Sequence, residues 1–308
     1  IILTAVKNNL INFTKELEEA LASAKSNLNY YKNELYTVYE QVAQGEHDEY
    51  VNSVESSEPG KTGGEIESLF ASQIESLNAE LAKIDSSTQS DSFKKEWRRV
   101  IEVTLACVNN KIQDLKNQAI RGADGKKTDI YVYDELEWMK SGYCGEDDVY
   151  NEISAEFDDD KKFDEIVSFL NSIIGQINSI YDKNASKYNN EGKKHSTSAI
   201  INELDTYRVS VGNVISKTKI EFDGSEESLE GFFNSIKELQ KDAFATFSDA
   251  PDKIKEVLSS AVNDYVDGWI QNASYKYAEK LKAKEPALEQ EHFTQKSEAL
   301  KEEFPDLF

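Results

Sequence analysis

The chain has 308 residues, with 35 Lys and Arg against 58 Asp and Glu, a formal net charge of -23. An acidic excess of that size repels phosphate backbones and anionic lipid, so it excludes nucleic acid and membrane surfaces as partners and favours a basic protein or a small cation. At 34.8 kDa the chain can bury a real core, its 14 Gly and 4 Pro are sparse punctuation, and its apolar runs fall far short of the ~20 residues that span a bilayer.

The N-terminal stretch carries an apolar stripe at helical spacing: Leu3, Val6, Leu10, Phe13, Leu17, Leu21, Ala24, Leu28, Tyr31, Leu35, Val38 and Val42. Steps of three and four residues put these side chains on one face of a helix, about 60 Å long at ~1.5 Å per residue. The period lies between that of a coiled-coil seam and that of a straight helix. Two consecutive four-residue steps at Phe13, Leu17 and Leu21, with Ile11, Tyr30 and Tyr39 widening the face, favour one wall of a bundle over a dimer seam.

Gln44 to Gly64 is polar and turn-rich, and Thr62-Gly63-Gly64-Glu65 has the spacing of a capping box. A second helix is predicted from there through Ile66, Leu69, Phe70, Ile74, Leu77, Leu81 and Ile84. After a polar link at Ser86 to Ser92, a third runs through Phe93, Trp97, Val100, Ile101, Leu105, Val108, Ile112, Leu115 and Ala119 and stops at Gly122. These three helices form an expected N-terminal bundle over residues 1–122.

Residues 123–160 read as an irregular connector: a turn at Gly122 to Lys127, a short extended piece at Ile130 to Tyr133 and a short helix at Asp134 to Lys140. Residues 161–308 read as a C-terminal bundle. Its predicted helices run through Phe163 to Tyr181 and Ile200 to Ile215, then from a Ser225 cap through Phe244, from Pro251 through Ile270, and past a break at Pro286. The fold class is all-α, a multi-helix bundle with a long N-terminal helix and a short connector.

Cys107 and Cys144 are the two cysteines. In an oxidising compartment they make one disulfide, tying the connector to the third helix; in a reducing one they are two buried thiols. The disulfide is the favoured reading. Ile1 in place of a starting Met, with Met139 as the single methionine, suggests a processed chain whose leader has been removed, although an artificial boundary would look the same.

Chemistry-bearing motifs are missing. His47, His195 and His292 lie in polar, loop-like contexts without the spacing of a helical zinc site, and His47 beside Asp48 and Glu49 reads as a solvated loop. Pro59-Gly60-Lys61-Thr62 lacks the first glycine of a phosphate loop, and Asp158-Asp159-Asp160 lacks the alternation of a calcium loop. Among so many carboxylates no pair stands out as acid and base. No catalytic residue, metal ligand or cofactor site is assigned.

The candidate binding set is aromatic: Tyr131, Tyr133, Trp138, Tyr143 and Tyr150 gather around Cys144 in the connector. Tyr and Trp combine large contact area with a polar handle and are enriched at interfaces. The same rings also suit a small core packed over the bundles, which is their commoner use. Phe232, Phe233, Phe244 and Phe247 pose a similar choice between a cavity for a small apolar ligand and ordinary bundle core, with core favoured. Glycosylation sequons occur at Asn12, Asn184 and Asn272, about as many as chance predicts; Asn184 is the favoured acceptor because Lys183 to Lys194 reads as a polar loop.

A processed, strongly acidic, Met-poor chain of this mass, with a long N-terminal helix, two cysteines and Trp97-x-x-Val100-Ile101, resembles the 34-kDa salivary secreted protein family of culicine mosquitoes. That resemblance implies secretion into saliva, no established catalysis, and action through a protein partner such as a mouthpart cuticular protein or a host skin component. The expectation is therefore a monomeric, extracellular, non-enzymatic binding protein. A scavenger of small apolar ligands or biogenic amines is the alternative, and an intracellular coiled-coil scaffold is third.

Overall fold

The computed structural model describes residues 30–124, 159–284 and 298. Among the described residues there are eight α-helices, one 3-10 turn and no strand: α1 (30–55), α2 (Thr62–Ser68), α3 (Ala71–Ile84), α4 (Asp91–Asp124), α5 (Asp160–Lys194), α6 (Thr197–Lys217), the 3-10 turn Glu226–Ser228, α7 (Leu229–Ala245) and α8 (Asp252–Lys284). The all-α multi-helix class expected from the periodicity is the class observed.

The helices fall into two units. One holds described residues 43–124 and 159–200; the other holds 30–42 and 201–284. The first, here the α4–α5 unit, is organised by its two long helices. Apolar side chains at helical spacing bury Phe93, Trp97, Ile101, Val108 and Leu115 of α4 against Phe163, Ile166, Leu170, Ile174 and Ile177 of α5, and Ile66, Phe70, Leu77 and Ile84 close the same core from α2 and α3. Two acceptors start the long helices. Ser90 Oγ takes the Phe93 backbone N–H at 3.1 Å, and Asp159 takes that of Lys162 at 3.0 Å. The Lys162 N–H and then the Gln89 amide hold the Asp159 carboxyl below the usual carboxylate range.

The second, the α7–α8 unit, has its own core of Phe222, Phe232, Phe233, Ile236, Leu239, Val266, Ala273 and Tyr277. A side-chain hydrogen bond from Gln240 to Asn263, 2.9 Å, ties α7 to α8. Asp223 braces the approach to α7 by accepting from the Ser225 N–H at 2.8 Å and the Ser228 hydroxyl at 2.7 Å. The Ser225 side chain, expected to cap this helix, makes no cap hydrogen bond.

Several predicted boundaries shift, each for a local reason. The polar turn expected from Gln44 is the continuation of α1, whose buried face runs Leu35, Tyr39, Ala43, His47, Tyr50 and Val54. Its spacing is helical, but the face is carried by residue types that read as polar or neutral. Thr62 is no N-cap; it lies inside α2, and its N–H is accepted by Ser53 Oγ of α1 at 3.0 Å. The single helix expected over Ile66 to Ile84 breaks at Leu69–Phe70, where 3-10 bonds close α2 before α3 begins.

Gly122 does not stop α4, which continues to Asp124. It stands instead at a close crossing with Gly192 of α5. The 183–194 segment, expected as a loop, is the last part of α5, where Tyr188 and Gly192 carry on its buried face. The contacts also divide the chain differently from a break near residue 122: α5 packs on α4 rather than opening a C-terminal bundle, because its apolar face is filled by α4.

Candidate interaction surface

Every exposed large hydrophobic side chain among the described residues belongs to the α7–α8 unit: Tyr30 (61% exposed), Tyr36 (40%), Val209 (47%) and Tyr275 (39%). Three elements present them, with Tyr30 and Tyr36 on α1, Val209 on α6 and Tyr275 on α8. The two α1 tyrosines are held in place. Tyr30 meets Tyr31 edge-on at 5.5 Å between centroids, and Tyr36 meets buried Tyr39 at 5.7 Å.

The anchors beneath them are polar. Tyr31 donates its hydroxyl to Asp264 Oδ2 of α8 at 2.5 Å, and that bond, with burial and nearby carboxylates, pushes the phenol up to about 12. Arg208 makes a two-pronged contact with Asp205, Nε at 2.7 Å and Nη2 at 2.9 Å. The Arg208 hydrogen bond holds the Asp205 carboxyl low, and the Asp205 bond raises the guanidinium in turn, with Tyr36 and Tyr39 adding to it. Tyr36 and Val209 therefore flank a charged pair whose geometry is fixed by a fork. Exposed rings on braced side chains supply contact area with little entropy left to lose on docking.

The α4–α5 unit gathers a different cluster. His47, expected in a solvated loop, is 8% exposed, and its Nδ1 lies 3.0 Å from the main-chain oxygen of His195, so Nδ1 carries the proton and donates. The His195 ring stacks on Tyr50 at 4.0 Å and 8°, and burial, with help from Glu191 and Tyr188, pushes Tyr50 up to about 12. The two histidines that looked like surface features pin α1 to the α5–α6 corner. On the solvent side of α1 an open cleft of about 440 Å³ is lined by Gly45, Asp48, Glu49, Asn52, Ser53, Ser56 and Lys61. Ligand pockets are enclosed, and this one opens widely to solvent.

Of the sequence-derived candidates, Cys107 is 3% exposed in the α4 core. Cys144 lies outside the described residues, as do Tyr131, Tyr133, Trp138, Tyr143, Tyr150, Asn12 and His292. Asn184 is half-buried in α5 rather than in a loop, and its amide donates to the Ile180 carbonyl at 2.7 Å. Phe232 and Phe233 contact each other edge-on within the α7–α8 core, and Phe244 meets Phe247 separately, so the four rings split between two packing sites. Among the described residues no three His, Cys, Asp or Glu are grouped to hold a metal ion, and no helix is long and apolar enough to cross a membrane.

Tyr30 and Tyr36 escape a reading of the sequence because they sit beside the apolar stripe of the N-terminal stretch. Tyr30 reads as a widening of the apolar face, and only the packing of Leu35, Tyr39 and Ala43 shows it to be off that face. The chain matches no known protein family, no curated protein and no solved structure.

Proposed function

We propose that the chain is a non-enzymatic, secreted protein of the salivary kind its sequence resembles, acting as a monomer that binds one protein partner, a mouthpart cuticular protein or a host skin component. The observation that carries this reading is the segregation of exposed large hydrophobics. Tyr30, Tyr36, Val209 and Tyr275 all lie on the α7–α8 unit, and the α4–α5 unit exposes none among its described residues. Scattered exposed apolar residues need no explanation, but tyrosines confined to one unit have the make-up of an interface. The net charge of -23 selects a basic partner and speeds the encounter. In this reading Cys107 pairs with Cys144, and Tyr131, Tyr133, Trp138, Tyr143 and Tyr150 form a second contact set held by that bridge.

The test is capture from mouthpart and skin extracts on the immobilised chain, side by side with a Tyr30→Ala, Tyr36→Ala, Tyr275→Ala triple variant. A basic protein retained by the parent and released from the variant is the expected outcome. Equal retention by both, or retention by neither, overturns the proposal.

A further inference from the structure

Two of the three Asn-x-Ser/Thr sequons fall among the described residues, and their surroundings differ. Asn184 of α5 is half-buried next to Ala185, which packs on the α4–α5 core, and its Nδ2 is committed to the Ile180 carbonyl at 2.7 Å. A sugar on that nitrogen would have to leave along a half-closed wall. Asn272 of α8 is exposed, and its side chain makes no hydrogen bond among the described residues. One turn before it, nothing beyond the local backbone of its own helix lies within 4 Å of the place a Cβ on Gly268 would occupy; one turn after it stands exposed Tyr275. Residues three and four apart are neighbours on a helix surface, so the approach to Asn272 is open on one side and floored by an aromatic ring on the other.

We propose that Asn272 is an N-linked glycan acceptor and that Asn184 is not, an inference that rests on the secreted reading above. The donor is a lipid-pyrophosphate oligosaccharide. The amide nitrogen of Asn272 forms a bond to the anomeric carbon, the bond from that carbon to the pyrophosphate oxygen breaks, the lipid pyrophosphate leaves, and the amide proton passes to a base of the transferase. Because transfer takes place on the nascent, extended chain, the hydrogen bond from Ser274 Oγ to Ile270 O in the folded helix does not oppose it. The fold separates the two sites afterwards: a chain that receives a sugar at Asn184 loses the bond to the Ile180 carbonyl and cannot close α5 on its core, so it is not secreted as folded protein, and the secreted chain carries a sugar at Asn272 and none at Asn184.

The test expresses the full chain in insect cells behind a supplied signal peptide, so entry into the secretory pathway does not depend on the reading. The secreted protein is treated with peptide-N-glycosidase F in heavy-oxygen water, which marks each released asparagine, and its peptides are weighed. The expected result is a marked Asn272 peptide and an unmarked Asn184 peptide, with Asn272→Gln removing the mark at that site and Asn184→Gln leaving it. An unmarked Asn272 in the secreted protein, or any mark at Asn184, overturns the assignment and leaves the secreted reading standing. Free thiols at both cysteines in the native protein would instead remove the basis for secretion.

Discussion

Gly122 and Gly192 bring the backbones of α4 and α5 into direct contact. A Cβ on Gly122 would stand 2.1 Å from the Asn189 carbonyl oxygen, and one on Gly192 would stand 1.9 Å from that of Ala119. Main-chain atoms cannot swing aside, so either methyl group forces the helices apart along a shared core. Gly192→Ala is expected to destabilise the α4–α5 unit by roughly 1–3 kcal/mol. Gly212→Ala, a helical position with open space around it, is expected to stabilise by about 0.5–1 kcal/mol. Urea unfolding of the two variants beside the parent checks both signs.

Lys116 is nearly closed to solvent and has one carboxylate for company. Its Nζ lies 2.7 Å from Glu67 Oε1, and the Ser57 hydroxyl donates to the same oxygen at 2.6 Å. Burial pushes the Glu67 carboxyl up, but the hydrogen bonds from Lys116 and Ser57 outweigh it and hold the group below its ordinary value of about 4.5. A carboxylate with a depressed folded value contributes stability that is complete above the unfolded value and lost as the pH falls through the folded one. Stability is therefore expected to fall below about pH 4.5, and Glu67→Gln is expected to remove that part of the acid dependence. Because Glu67 keeps a third of its side chain in water, the substitution costs about 1–2 kcal/mol near neutral pH. Melting curves across the acid range for the parent and the variant provide the comparison.

At alkaline pH the sign reverses. Tyr31, pushed up to about 12 chiefly by its bond to Asp264, holds its proton more tightly folded than unfolded. Its contribution is complete below the unfolded value, near ~10, and is lost as the pH rises through about 12. Asp264→Asn is expected to bring the Tyr31 transition back toward the ordinary phenol range. Tyrosinate absorbance followed in the folded protein detects the shift, and an unchanged titration would show that the contact is not made in solution.

The disulfide reading carries its own check. Unreduced protein, unfolded and exposed to a thiol-alkylating reagent, is expected to gain no mass. Reduction is expected to cost roughly 3 to 4 kcal/mol in the chain-entropy estimate.

How far the sequence reached depends on what kind of residue marks each face. The α4 and α5 stripes were readable because Phe93, Trp97, Ile101 and Phe163, Ile166, Leu170 are apolar by type and helical by spacing. The extension of α1 was not, because His47 and Tyr50 carry its buried face and their partner, His195, is 148 residues away from His47. Gly122 shows the same difficulty. A glycine at the end of a periodic run signals a cap, and only the approach of Gly192 reveals that contact between helices is its purpose. Tyr30 and Tyr36 had a weaker signal still, since the register of the α1 face is set by the burial of Leu35, Tyr39 and Ala43, which no local pattern encodes.

The central claim is that one protein partner docks on the α7–α8 unit through its exposed tyrosines. The direct measurement is a titration of the captured partner against the parent, against Tyr36→Ala, and against Asp48→Ala on the polar cleft of the α4–α5 unit. The predicted result is a loss of affinity of about 30-fold, equivalent to about 2 kcal/mol, for Tyr36→Ala with none for Asp48→Ala. Equal affinity for all three chains, or a loss confined to Asp48→Ala, would contradict it.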